Sequence, residues 1–273
     1  MLRLVTIPIS HYCEKARWAL DRAGIRYREE PHVQGLHRIY ARRAGGGSTV
    51  PVLVTPGGAV ADSAAVLAWV DERTAPELRL YPEDQAERRE VLELCRRFDE
   101  RLGPSGRRLI YVHMLAAERE LTLRFNNQGV PRWEDRLMRW GWPVAVRFLS
   151  RALDIRPGVE AEDEAAAWLE LDFAAGLLAD GRPHLCGERF GAADLTFAAL
   201  CAPLVVPPLY GVPLPQPELM APRTAALIER AREHPAGRFA LRMVEQERGS
   251  PANGGSPLPH AGAARAGMEQ RAP

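Results

Sequence analysis

The strongest constraint on how this chain folds lies in residues 7–20, Ile-Pro-Ile-Ser-His-Tyr-Cys-Glu-Lys-Ala-Arg-Trp-Ala-Leu. Leu2, Leu4 and Ile7 lie among polar positions as in a short strand over 2–8. Trp18, Ala19, Leu20 and Ala23 then recur at helical spacing over 11–23, until Gly24 stops the run. Ser10 therefore falls at or near a helix N-cap. Unpaired backbone N–H groups and the positive end of the helix dipole favour negative charge there. A small hydroxyl residue at that junction is placed to hold a thiolate.

The same reading continues to residue 75 as strand 26–30, helix 34–43, strands 51–55 and 58–61, and helix 63–73. Ala75 to Asp84, with Pro76 and Pro82, opens a different regime. Beyond it, stretches rich in Ala, Leu, Glu and Arg, such as Ala86–Leu102 and Glu162–Leu178, have helical periodicity, and no clear strand returns. The expected organisation is α+β: a small domain with the order βαβαββα over 1–75, a linker over 76–84 and an all-helical domain over 85–248. Residues 249–273 are Gly, Pro, Ala and Ser with almost no large apolar side chain. Such a segment cannot offset its ordering entropy by burial, so a disordered tail is expected.

Composition narrows the partners. The formal net charge of the 273 residues is +1, which gives no global reason for nucleic acid or an anionic membrane as partner. The stretch Leu195–Leu214 is uncharged and long enough to span a membrane, but Pro203, Pro207, Pro208 and Pro213 interrupt it, so it reads as a buried helix and a loop. Cys13, Cys95, Cys186 and Cys201 have neither CxxC nor metal-ligand spacing, so no metal is expected, and a reducing cytoplasm is the default. Cys95, Cys186 and Cys201 read as small core residues in helical surroundings.

Two further segments complete a pattern with Ser10. In Thr49-Val50-Pro51-Val52-Leu53, Pro51 opens an apolar strand where an X-Pro bond can be cis, leaving Val50 free to pair its backbone with an extended peptide. In Val60-Ala61-Asp62-Ser63-Ala64, a strand gives way to a helix, so Ser63 is an N-cap candidate for a carboxylate site and Asp62 can take an ammonium group. A thiol, a peptide bond and an amino-acid terminus are the parts of glutathione.

Ser-His-Tyr-Cys-Glu-Lys-Ala-Arg, Val-Pro and Asp-Ser together resemble the glutathione S-transferase family, with Phe190-Gly191-Ala192-Ala193-Asp194-Leu195-Thr196 similar to its helix-capping segment. The resemblance implies a thioredoxin-like first domain, a helical-bundle second domain, and glutathione as co-substrate. By the same resemblance Ser10 is the activating hydroxyl, Val50 the backbone partner, Pro51 the cis-proline, and Asp62 with Ser63 the γ-glutamyl site. His37 stands where a long polar residue meets the glycyl carboxylate in this family; a solvated surface histidine is the alternative. A cytoplasmic homodimer acting in detoxification is also implied.

Other residues remain open on sequence grounds. Cys13, in the first helical turn, is a second catalytic candidate because the positive helix end depresses a thiol pKa; a structural cysteine is the bland reading. Lys15 and Arg17 read as a solvated face or as ion-pair partners, with contact to a ligand carboxylate as the alternative. The aromatic stretch Tyr111 to Trp142 reads as core, or else as an apolar substrate pocket in which Tyr111 and His113 are the first candidates. The expected activity is thiolate attack on an apolar electrophile, as conjugation, substitution or thiol-assisted isomerisation. A non-catalytic carrier of an apolar ligand, a thiol oxidoreductase using Cys13, and a different low-molecular-weight thiol are the alternatives.

Overall fold

The computed structural model describes residues 1–248. The tail expected over 249–273 lies outside the described residues. Strand β1 (Leu2–Thr6) ends before Pro8, and helix α1 (His11–Arg22) begins after a tight turn in which the Ser10 N–H donates to the Ile7 carbonyl at 3.1 Å. Strand β2 (Tyr27–Pro31) runs parallel to β1, followed by α2 (His37–Arg43). Strands β3 (Val52–Thr55) and β4 (Gly58–Ala61) add antiparallel pairings in the order β2-β1-β3-β4, and α3 (Ser63–Asp71) closes the unit. This is the thioredoxin-like βαβαββα arrangement.

Register places Leu4 opposite Leu53, and both are fully buried with Ala16 and Leu20 of α1 and Leu67 and Val70 of α3. Val5 and Val52 point to the other face, where they pack with Ala41 of α2. The two-residue period of the strands thus feeds two separate cores, one on each side of the sheet.

Among the described residues no strand follows β4; only an isolated bridge joins His184 and Gly187. Helix α4 (Gln85–Arg97), capped by Asp84, continues through a π-helical turn (Phe98–Leu102) into α5 (Gly103–Ala117). Then come α6 (Arg119–Asn126), α7 (Arg132–Trp140), α8 (Trp142–Ala152), α9 (Val159–Leu177), α10 (Ala192–Val205), α11 (Pro222–Glu233) and α12 (Pro235–Met243). Helix α10 is buried along nearly its whole length and forms the axis of the helical part, with Pro203 near its end. No helix among the described residues is long and apolar enough to cross a membrane.

One continuous core joins the two parts. Trp18 and Leu20 of α1 belong to the same buried cluster as Phe98, Leu102, Phe197 and Leu200. Close approach at this seam depends on Gly103, because a Cβ there would lie 2.3 Å from the Tyr12 hydroxyl oxygen and 2.8 Å from its Cζ. Tyr12 lies against α5 and donates its O–H to the Asp99 carbonyl at 2.7 Å.

The structure corrects the solvated-face reading of α1. Lys15 and Arg17 are fully buried, and both are ion-pair partners: Lys15 with Asp99 at 2.8 Å, and Arg17 with Glu29 at 2.8 Å and Glu14 at 3.2 Å. Glu14 in turn accepts from Arg248 at 2.7 Å and from the Gly211 N–H at 3.0 Å. Buried charges survive because each is paired and hydrogen-bonded. Two other expectations change. Cys186 lies in the loop before α10 and is only partly buried, not in a helical core. Of the aromatic stretch, Phe125 and Trp142 are core, but Trp133 is 51% and Trp140 88% exposed.

Candidate functional site

Ser10 caps α1 from an extended conformation (φ −66°, ψ 122°), and its Oγ accepts a long hydrogen bond of 3.4 Å from the Cys13 N–H. Its O–H donates to nothing among the described residues and faces a cavity of about 300 Å³ between the two parts of the molecule. An N-cap hydroxyl with a spare proton, next to the unpaired N–H groups of a helix start, is suited to stabilising an anion.

Cys13, three residues on, is fully buried and does not line that cavity. Burial pushes its thiol up to about 11, against the opposing pull of the Arg17 charge. The expected depression by the helix terminus is therefore reversed, because desolvation of the thiolate outweighs the dipole.

The Val50–Pro51 peptide bond is cis. Val50 lies outside β3, and its N–H and C=O make no hydrogen bond among the described residues. Next to it, the Asp62 N–H donates to the Pro51 carbonyl at 3.2 Å, which holds the proline loop against the start of α3. The cap of α3 is Asp62, not Ser63 as expected: Asp62 Oδ1 accepts from the Ala64 N–H at 2.7 Å, while Ser63 is the first helical residue and is buried. Adjacent Asp and Ser are both good caps, and the strand ending at Ala61 decides between them. Asp62 has φ of +83°, a conformation in which a side chain is strained.

The cavity unites some of the expected residues and leaves others out. Ser10, His37 and Tyr111 line it; Val50, Pro51, Asp62, Ser63, Cys13 and His113 do not. His113 turns to α9 and pairs with Glu160 at 3.4 Å. Tyr111 accepts from Gln34 Nε2 at 2.9 Å, so the phenol ties α5 to the loop before α2. His37 Nδ1 accepts the Gly35 N–H at 3.0 Å; burial, aided by the Arg38 charge, pushes this imidazole down to about 4. It is a neutral acceptor at neutral pH, and Arg38 beside it is the cation at that rim.

Residues that sequence reasoning missed complete the walls. His11 is buried with Nε2 unpartnered, and its pKa is held well below that of a free imidazole by burial and then by the Arg107 charge. Ile110 and Met114 of α5, Leu149 and Phe148 of α8, and Val206 and Met220 make the lining apolar. The Tyr210 O–H donates to the Ile9 carbonyl at 3.2 Å and holds the loop after α10 over Ser10. Behind the lining residues Gln34 and Gly35, buried Glu134 of α7 pairs with His32 Nδ1 at 2.8 Å and accepts from the Val33 N–H at 3.0 Å. No signal in the sequence singles out Glu134, whose partners are more than a hundred residues away.

Comparison with known proteins bears on this site. Residues 4–78 match the family model described as "Glutathione S-transferase, N-terminal domain". No curated protein matches the chain. Among solved structures, a glutathione S-transferase from Xanthobacter autotrophicus Py2 is 19% identical, with 90% of this chain and 93% of that one covered and a TM-score of 0.58. One from Sinorhizobium meliloti 1021 is 18% identical, covering 93% and 96%, with a TM-score of 0.56. One from Methylobacillus flagellatus KT, solved with glutathione bound, is 14% identical, covering 90% and 95%, with a TM-score of 0.57.

Proposed function

We propose that this protein is a glutathione transferase in which Ser10 holds the glutathione thiol as a thiolate for attack on an apolar electrophile; the match of residues 4–78 to the N-terminal-domain model and the fold shared with solved glutathione S-transferases support the reading. The observation that carries the reading is the Ser10 hydroxyl at the start of α1, with its proton uncommitted and an apolar cavity in front of it.

The energetics close without a general base. Lowering a thiol pKa by about two units requires about 2.7 kcal/mol. A hydrogen bond to a charged group contributes about 1.5–3 kcal/mol and a helix N-terminus about 0.3–2 kcal/mol. With the sulfur near Ser10, the peptide backbone of glutathione pairs with Val50 ahead of Pro51, and the γ-glutamyl ammonium and carboxylate reach Asp62 and the start of α3 at Ser63. The strained Asp62 supports this role, since such a conformation is retained where it positions a functional group. At the other end of the tripeptide, Arg38 suits the glycyl carboxylate better than the neutral His37. The electrophile occupies the apolar wall formed by α5 and α8. The reaction forms a carbon–sulfur bond as the thiolate attacks: in a substitution the leaving group departs as an anion with the electron pair of the broken bond, and in an addition the displaced electron pair stays on the electrophile and takes a proton from water. The four free cysteines accord with a reducing cytoplasm, and a homodimer acting in detoxification completes the reading.

Calorimetric titration of reduced glutathione tests it. Micromolar to low-millimolar binding that weakens at least tenfold in Asp62→Ala is expected, a change of about 1.4 kcal/mol. No heat at millimolar glutathione would refute the reading and favour a carrier of apolar ligands.

A further inference from the structure

The cavity in front of Ser10 is apolar, yet its charged lining is all of one sign. Arg38 stands at its rim and Arg107 in its wall, and no aspartate or glutamate lines it. Arg107 lies on α5 three and four residues before Ile110 and Tyr111, so all three share the face that α5 turns to the cavity. Its neighbour Arg108 is held by Asp163 through two hydrogen bonds, at 2.6 and 2.7 Å. Lys15, Arg17, Arg97 and Arg248 are likewise paired with carboxylates. Arg107 alone among these buried or half-buried cations has no carboxylate within ion-pair distance among the described residues. Its Nε is buried without a hydrogen-bond partner, and its guanidinium carbon lies 5.9 Å from the centre of the Tyr12 ring, a weak substitute.

A half-buried guanidinium whose Nε is shut off from water without a partner gains most from an anion that arrives to meet it. The fork geometry of arginine suits carboxylate or sulfonate oxygens in particular. The glutathione carboxylates have separate places in the proposed pose, at the start of α3 and beside Arg38. The charge on Arg107 also reaches the site's own groups: it adds to burial in keeping His11 neutral. His11 therefore cannot compete for the anion.

We propose that Arg107 is a specificity residue for the second substrate, and that this substrate is an organic anion: an apolar body seated on the α5 and α8 wall, with a carboxylate or sulfonate paired to the Arg107 guanidinium. This rests on the transferase reading for the word substrate, but not for the binding chemistry. Arg107 takes no part in proton transfer; it orients the electrophile and selects charged over neutral analogues.

Two fluorescent probes that differ by one charge test it on the full chain: anilinonaphthalene sulfonate, and phenylnaphthylamine, which has the same aromatic body without the sulfonate. The wild type should bind the sulfonate more tightly. Arg107→Gln should weaken the sulfonate about tenfold or more and leave phenylnaphthylamine unchanged, and Arg107→Lys should recover part of the loss. Thermal melts of both variants check the fold, and loss of both probes together in a folded Arg107→Gln protein would overturn the proposal. So would unchanged sulfonate binding. Glutathione titrated into the same variants separates the two readings. If glutathione weakens as much as the sulfonate, Arg107 belongs to the thiol site and the proposal fails. If wild-type protein binds no glutathione while the probes still differ, the transferase reading fails and the anion site stands.

Discussion

Removal of the Glu134 carboxylate is the sharpest test of how the segment leading to the cavity residues Gln34 and Gly35 is held. Its side chain is fully buried, with one oxygen 2.8 Å from His32 Nδ1 and the other 3.0 Å from the Val33 N–H. His32 is itself buried and stacked on Tyr40. Glu134→Ala removes both hydrogen bonds at once and leaves the buried Val33 N–H and His32 Nδ1 without this partner, at about 1–3 kcal/mol each. A total of about 2–6 kcal/mol follows from the two lost hydrogen bonds. For a chain of this size, each kcal/mol lowers Tm by about 2–4 °C, so a fall of roughly 10 °C is expected by calorimetry. Glu134→Gln keeps the shape and an acceptor for Val33, so it should cost about 1 kcal/mol. The double variant with His32→Ala should show strong coupling, because the two residues lose the same contact. If Glu134→Ala changes stability by no more than about 0.5 kcal/mol, as a surface substitution does, the clamp is not holding the segment before Gln34.

Three further outcomes are expected. Gly103→Ala should destabilise by about 1–3 kcal/mol, since its methyl would collide with Tyr12, and trimming Tyr12 to Ala in the same protein should make the added methyl tolerable; a melt unchanged by Gly103→Ala would contradict this. The His37 pKa is lowered to about 4, so its stabilising contribution is full above about pH 6.5 and is lost as pH falls towards about 4, by at most about 3 kcal/mol. His37→Gln should flatten this part of the acid profile, and parallel wild-type and variant curves would argue against it. Burial pushes Cys13 and Cys95 up to about 11 and Cys186 and Cys201 up to about 12, so iodoacetamide at neutral pH should leave all four unmodified in the folded protein. Rapid labelling of Cys13 would restore the oxidoreductase reading.

Local chemistry explains which features the sequence revealed. The turn at Ser10, the break at Pro51 and the start of α3 are set by capping, proline geometry and hydrophobic period within a few neighbours, and those positions were found to within one residue. The shift of the α3 cap to Asp62 was hidden because Asp and Ser are both good caps and only the end of β4 at Ala61 decides between them. The buried charges of α1 were illegible for another reason: the partner of Lys15 is 84 residues away, and besides Arg17 the partners of Glu14 are 197 and 234 residues away. Arg107 illustrates the same limit, since all but one of the basic residues are arginines and only the fold shows that this one lacks a carboxylate. Trp133 and Trp140 mark the converse, where helical spacing was clear but not the direction in which the apolar face points.

The central claim is that Ser10 makes the glutathione thiol acidic, and ultraviolet titration of thiolate absorbance in the glutathione complex measures it directly. The protein's own thiols, at about 11 and above, stay silent near neutrality. The wild-type complex should ionise about two units below a free thiol, and Ser10→Ala should return the transition most of the way to the free value while still binding glutathione. A bound thiol that ionises at the same pH in both proteins, or at the pH of free glutathione in the wild type, would contradict the account.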